Sequence, residues 1–267
     1  MTPRAPLRTI ASRIAYCERV QSTAIGYRFA LKRQYGASAP RGAVYAPWRN
    51  AVLQTRREWE AATEQVRSLG LPSYPEPSKN WDGLAALGCI LEHVRRSAPV
   101  LDAGAARSSM VLPWLFLHGY TNLTGINLDF DGAWRRGPIR YEPGDLTRTR
   151  FAADSFDAVV CQSVLEHGVD IDAYLDEMTR ILRPGGLLMA SVDYFDEPVD
   201  LHGAAPRGGA PYRVFARSDI DQLLSAARMR GLALTDPIDL RCRDRAINWQ
   251  AYQLEFTYLM LTMRKGA

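Results

Sequence analysis

The segment Val100-Leu101-Asp102-Ala103-Gly104-Ala105-Ala106-Arg107-Ser108 sets one carboxylate at the end of an apolar run and follows it with small side chains. Small residues let a backbone turn sharply and lie close to a bound molecule. A helix expected over Ser108–His118 would offer free N–H groups near its start. Asp102 can accept hydrogen bonds from backbone amides or from a ligand ammonium. A second polar ending follows at Leu123-Thr124-Gly125-Ile126-Asn127-Leu128-Asp129. Nucleotide-binding sheets place a ribose-binding residue about 20 residues beyond the first turn, so Asn127 and Asp129 are candidates for hydroxyl contacts. Asp129, two residues on, would share a side with Asn127 if the strand stays extended. Gly144-Asp145-Leu146 comes next, where Asp145 could accept from an exocyclic amine. Then come Ser155-Phe156-Asp157, Val164-Leu165-Glu166-His167 and Leu182-Arg183-Pro184-Gly185-Gly186.

These residues need a scaffold that presents strand ends to one crevice. Apolar runs at Val100–Asp102, Leu123–Leu128, Ile139–Tyr141, Phe156–Gln162, Leu187–Val192, Leu232–Leu240 and Leu254–Met263 read as strands. Near-continuous apolar strands are buried on both faces. Helical patterns fall between them, at Ile171–Leu182 and from a cap at Ser218 to Arg230. Strands alternating with helices imply a parallel-rich sheet covered on both sides. Ahead of it, helices are expected over 7–33, with Leu7, Ile10, Ile14 and Cys17 on one face, and over Ala51–Ser68. Gly36–Pro47 reads as a loop. Three prolines within 72–80 suggest a linker before a helix over Trp81–Arg96. The expected organisation is a basic helical extension over 1–78 and a main domain over 79–267.

The 267 residues, 47% hydrophobic and 23% charged, suffice for a sizeable core. The net charge of +4 is uneven. Residues 1–57 hold eleven Lys/Arg and one acid, about +10, which leaves about −6 for the rest. That arm is a solvated helical surface or a contact for an acidic partner. Cys17, Cys89, Cys161 and Cys242 form neither a CxxC nor a zinc-spaced cluster, so no metal is expected and a reducing cytoplasm is. No apolar run reaches the ~20 residues of a membrane span.

Taken in order, the motifs resemble the class I S-adenosylmethionine-dependent methyltransferases, of the type 11-like group. Members read VLDxGxGxG, GxD, GD, SFDxVxxxxVLEH and LRPGG at about these separations. The resemblance covers residues 98–193. It implies an α/β, doubly wound, mostly parallel seven-stranded Rossmann-like sheet with the N-terminal helical extension attached. It implies S-adenosyl-L-methionine as cofactor and methyl transfer to a small-molecule acceptor, such as a sugar or natural-product hydroxyl. Carried over by position, Asp102, Gly104 and Ala105 would hold the methionine part. Asn127 or Asp129 would meet the ribose, Asp145 and Leu146 the adenine, and Gln162 and Ser163 the sulfonium. Ala106 and Ser108 stand where glycines are usual, and Asn127 where an acid is usual.

An oxygen acceptor benefits from a general base. His167 is the first candidate, because it follows the fourth main strand and carries an imidazole. Asp193 and His202 are the others, on the segment after the fifth strand that lines the acceptor pocket in this family. Tyr194, Phe195 and Tyr212 could wall that pocket. A nicotinamide-dependent oxidoreductase would need G-x-G-x-x-G, of which only Gly104 is present. Two readings stay open besides the enzyme: a non-catalytic module that kept the fold, and a nucleic-acid methyltransferase suggested by the basic arm. The latter lacks any accompanying RNA-binding signature, so nucleic acid is not the expected partner.

Overall fold

Side chains along the central strands alternate between two apolar layers, and that alternation organises the molecule. The computed structural model describes residues 17–203 and 211–266. The sheet contains β1 (Ala51–Val52), β2 (Val100–Ala103), β3 (Leu123–Asn127), β4 (Trp134–Arg136) and β5 (Ile139–Pro143). It continues with β6 (Phe156–Gln162), β7 (Leu182–Tyr194), β8 (Leu232–Leu234), β9 (Ile247–Trp249) and β10 (Leu254–Lys265). The helices are α1 (Glu18–Gln21), α2 (Ala24–Tyr35), α3 (Arg56–Ser68), α4 (Lys79–His93), α5 (Val111–Leu117), α6 (Ile171–Ile181) and α7 (Arg217–Met229).

Val100, Val160, Met189 and Met260 face the layer holding Leu84, Leu87 and Trp114 of α4 and α5. Leu101, Val159, Leu188 and Leu261 face the other layer, with Leu175 and Met178 of α6 and Leu223 of α7. A strand alternates its side chains between faces, so a continuous apolar run can serve both layers.

The strand order is β1-β10-β7-β6-β2-β3-β5-β4, with β8 and β9 also paired to β10. Strands β2, β3, β5, β6 and β7 are mutually parallel where they pair, and β10 runs antiparallel to β7. The path β5-β3-β2-β6-β7-β10-β8 is the expected seven-stranded, doubly wound sheet. Strands β1, β4 and β9 extend it to ten among the described residues. The chain leaves β2 toward β3 and β5, then returns to β6 on the other side. The switch point therefore lies between β2 and β6, where such sheets bind ligands.

Several local expectations change. Leu7, Ile10 and Ile14 lie outside the described residues. Beyond them the helix breaks after Gln21 and restarts where Thr23 accepts from the Gly26 amide at 3.0 Å. The helix expected from Ala51 begins at Arg56, because Ala51 and Val52 pair with Met260 and Leu259 on the outer edge of β10. The Arg183-Pro184-Gly185-Gly186 stop is built into β7, whose register against β6 jumps from Phe156↔Leu182 to Ala158↔Leu187. The strand expected over Leu232–Leu240 stops at Leu234. Helix α7 starts at Arg217, with the Asp219 carboxylate, and not Ser218, accepting from the Ala216 amide at 2.8 Å.

The largest departure is the expected linker. Residues 72–80 form a strap packed against the main layer. Trp114 donates to the Pro72 carbonyl at 2.7 Å, and Tyr74 meets Trp114 edge-on at 5.4 Å. Asn80, fully buried, donates to Thr63, Ser73 and the Pro77 carbonyl within 3.1 Å. Prolines fix φ and leave no backbone N–H to satisfy, so the strap is stiff. Elements on both sides of residue 78 share one apolar cluster, in which Tyr27, Leu31 and Val66 join Leu84 and Trp114.

The tips of β2, β3 and β5 meet at Gly125. A Cβ there would sit 2.8 Å from Tyr141 and 2.9 Å from Ala105. Gly125→Ala should therefore lower unfolding free energy by about 1–3 kcal/mol in urea denaturation, as overpacked cores do. A neutral result would show that Tyr141 yields freely.

Candidate active site

A cleft of about 1090 Å³ opens at the carboxyl ends of β2, β6 and β7. Gly104, Gln162, Ser163 and Asp193 line it from the sheet. The strap covers one side with Tyr74 through Lys79, and Trp249, Phe256 and Tyr258 wall the other. This is the crevice beside the switch point.

Asp102 ends β2 with 3% of its surface exposed, and its Oδ2 has no hydrogen-bond partner among the described residues. Burial drives its carboxyl up to about 7. Gly104 adopts φ +96°, which a side chain resists. A Cβ added there would meet Val164 at 2.4 Å, so the chain itself, before any ligand, demands glycine.

The amides of Gly104 and Ala105 both donate to the Ile126 carbonyl at 2.9 Å, so neither is free for a methionine carboxylate. Ala105 is fully buried away from the cleft. Asn127 donates to the carbonyls of Gly104 and Ala105 at 3.3 and 3.0 Å, and its oxygen accepts from the Asp129 amide at 2.9 Å. Strand β3 ends at Asn127, so Asp129 sits in a turn, exposed, and not on the same side of an extended strand. Asp145 is exposed and accepts from the amide and hydroxyl of Thr147 at 2.8 and 2.7 Å. Leu146 packs into the second layer with Ile126. Asn127, Asp129, Asp145 and Leu146 thus do not line the cleft. Nor does His202, which is exposed beside Asp200, its Nδ1 3.3 Å from that carboxylate.

The structure instead concentrates polar groups where β6 and β7 meet the strap. Tyr74 donates to Gln162 Oε1 at 2.9 Å, while Gln162 Nε2 is buried without a hydrogen-bond partner among the described residues. Ser163, at φ +51°, closes β6 through its amide to the Ser191 carbonyl at 2.9 Å. Lys79 donates to Ser163 Oγ. Its Nζ stands 3.6 Å from the centre of the Tyr258 ring and 3.9 Å from Asp193 Oδ1. Asp193 accepts from the Tyr212 hydroxyl at 2.7 Å. Glu166 is 1% exposed, with both carboxyl oxygens lacking a hydrogen-bond partner among the described residues. The His167 ring lies 5.6 Å from that of Tyr212.

Electrostatics follow from this crowding. Burial raises Asp193 to about 6, against the opposing pull of Lys79 and Tyr212. Burial, then the Asp193 charge, holds Glu166 well above the usual carboxylate range. Burial acts to lower the Lys79 ammonium, but Asp193, Asp82, Glu76 and Glu166 together outweigh it and the net direction is up. Lys79 therefore stays charged, and burial disfavours the ionised form of each neighbouring acid. Of the residues singled out from sequence, Asp193, His167, Gln162, Ser163 and Gly104 meet in the cleft. Tyr74, Lys79 and Glu166 were missed as site residues. Glu166 stood in plain view beside His167. Lys79 carried no signal beyond its place at the end of a proline-rich run.

Strand order and layers define an α/β protein with the class I methyltransferase fold. Residues 101–190 match the family model described as a methyltransferase domain. The chain is 39% identical over 83 residues to the demethylmenaquinone methyltransferase of Mycolicibacterium paratuberculosis, a match covering 26% of this chain and 36% of that protein. It thus spans about a third of that relative's length. It is 25% identical over 212 residues to the ubiquinone biosynthesis O-methyltransferase of Brucella anthropi, covering 72% of this chain and 77% of that one. In structure it resembles the cyclase SpnF, with TM-score 0.54 and 17% identity over 85% of this chain and all of that chain. It also resembles the Burkholderia thailandensis 1,6-didemethyltoxoflavin-N1-methyltransferase, with TM-score 0.50 and 23% identity over 86% of this chain and all of that one. The strand order is that of the class I methyltransferase fold, and residues 101–190 within it carry the methyltransferase-domain match.

Asp102 gives a pH test. Its carboxyl rises from 3.8 to about 7 on folding, so its protonated form stabilises the fold. That contribution is full below about pH 4 and is lost as pH rises through 7. Asp102→Asn should remove the loss. Its stability relative to the parent should grow between pH 4 and pH 8, by up to about 4 kcal/mol. Parallel pH-stability curves would refute the burial of an ionisable Asp102.

Proposed function

We propose that this chain transfers a methyl group from S-adenosyl-L-methionine to a hydroxyl of a small-molecule acceptor, with Asp193 receiving the hydroxyl proton. The observation that carries the reading is the pair of cleft-lining residues with buried polar atoms that have no hydrogen-bond partner among the described residues, Gln162 Nε2 and both Glu166 oxygens, with Asp102 Oδ2 likewise orphaned in the neighbouring strand β2. Buried polar groups are ordinarily paired, so orphans gathered in a cleft are groups kept for a ligand. The fold alone would not decide, since one host of it, SpnF, is a cyclase.

These residues fit the cofactor at its cationic end. Asp102 would offer an acceptor to the ammonium of the methionine part, and Gln162 Nε2 would offer a donor to its carboxylate. When bound, the cofactor supplies an electrophilic methyl carbon beside a good leaving group. The protein's share is alignment, which can account for ~7–11 kcal/mol of barrier. A base with a pKa near working pH adds about 10²–10⁴-fold. Asp193 meets that condition, at about 6, and Tyr212 fixes its orientation. His167 supports Tyr212 by ring contact and so positions the base. The aromatic walls of Trp249, Phe256 and Tyr258 suit a flat acceptor. The first 78 residues then serve the domain of 79–267 by supplying the strap. Four unpaired cysteines accord with a cytoplasmic setting.

Calorimetry with S-adenosylmethionine and S-adenosylhomocysteine tests the cofactor. Binding in the micromolar range is expected, and Asp102→Ala should weaken it about tenfold, the size of one lost charge-assisted hydrogen bond. No heat at high micromolar concentration would favour a non-catalytic module. For turnover, Asp193→Asn should lower kcat by about 10²–10⁴ with little change in acceptor KM. The parent's rate should rise as pH climbs through about 6, because the carboxylate is the active form. An unchanged profile in the variant would remove Asp193 as base.

A further inference from the structure

Lys79 is the feature that the proposed base and cofactor contacts leave unexplained. It opens α4, where the helix dipole disfavours a cation. It is nevertheless drawn inward, with 15% of its side chain exposed. Three contacts hold it at the centre of the cleft: the Ser163 hydroxyl, the face of Tyr258 and the Asp193 carboxylate. The strap fixes its backbone, because Glu76 accepts from the Tyr258 hydroxyl at 2.7 Å and the Lys79 amide donates to the Glu76 carbonyl at 3.1 Å. Asp82, the buried carboxyl one turn along α4, accepts from Ser191 Oγ and from the Gly83 amide. Those two hydrogen bonds hold the carboxyl in place, and its charge acts on Lys79 only through space. A charge placed this deliberately beside the base has a target.

We infer that Lys79 is a catalytic residue that touches the acceptor oxygen, and that it selects acidic hydroxyls on flat rings, phenols or enols, by holding them as oxyanions. This deepens the methyltransferase reading and rests on it. In the step, the acceptor O–H bond breaks and its proton passes to Asp193. The electron pair stays on the oxygen, opposite the Lys79 ammonium. The oxygen–methyl bond then forms as the sulfonium–methyl bond breaks, leaving a neutral thioether. Asp193 returns its proton to water. An ammonium within about 4–6 Å lowers the pKa of an ionising group by about 1–3. An alkyl alcohol, far weaker as an acid, would still be neutral. The walls of Trp249, Phe256 and Tyr258 supply ring faces for stacking.

The test uses para-nitrophenol, whose yellow anion reports its own ionisation, titrated onto the full chain in the presence of S-adenosylhomocysteine. The bound phenol should ionise about one pH unit or more below the free one. Lys79→Arg should preserve this, while Lys79→Met and Lys79→Gln return the midpoint to that of the free phenol. Circular dichroism melts identify a variant that fails to fold. Where Lys79→Met does not fold, Lys79→Gln alone carries the test. A midpoint in Lys79→Met equal to the parent's overturns the inference, as does a phenol that binds without a lowered midpoint or does not bind. Calorimetry on the same samples separates the two readings. If S-adenosylhomocysteine binds and the phenol is not ionised, the acceptor class falls alone. If S-adenosylhomocysteine does not bind, the methyltransferase reading falls.

Discussion

The desolvated floor of the cleft sets the terms for everything around it. Asp102 and Asp193 near the ends of β2 and β7, Glu166 just past β6 and Asp82 on the first turn of α4 are all buried. Ionising all of them would cost far more than the fold's margin of about 5–15 kcal/mol. The protein meets this with the Lys79 ammonium, and burial shifts Asp82, Asp102 and Glu166 upward, toward their neutral forms. That arrangement requires the strap, because a lysine on a mobile linker would be lost to water. It also requires Tyr212 and Ser191, whose hydroxyls donate to Asp193 and Asp82. The strap's stiffness and the cleft's electrostatics are one constraint seen from two sides.

Much of this was legible in the sequence, for physical reasons that differ by element. Strands β2, β6 and β7 are buried on both faces, so their apolar runs announce themselves. The motif residues that end those strands, Gly104, Gln162 and Ser163, reach the cleft because a strand end has one place to point. Short edge strands were invisible. Ala51–Val52 is too brief to show a period, and it is a strand only because β10 offers an open edge. Proline density at 72–80 signals restriction of φ, and restriction serves a rigid strap as well as a linker. What fixes the choice is Asn80 with three acceptors and Trp114 on Pro72, contacts that no local pattern encodes. His202 failed for a related reason: it follows β7, but its ring pairs with Asp200 at the surface.

The departures from the family pattern turn out to be coupled. An acid at position 127 would be acceptor-only, and it would face the carbonyls of Gly104 and Ala105. Asparagine can donate to both, and it does. The same turn is closed by Ser109, whose hydroxyl accepts from the Ala106 amide while its own amide donates to the Ala106 carbonyl. Ala106 is thus held by a neighbour's side chain and needs no glycine freedom at that point. Asn127 and Ser109 therefore make a self-satisfied turn out of what would otherwise be open carbonyl acceptors and an open amide donor. A nucleoside reaching the tip of β3 must then compete with bonds already made. The β2, β6 and β7 side of the crevice carries orphaned polar atoms instead.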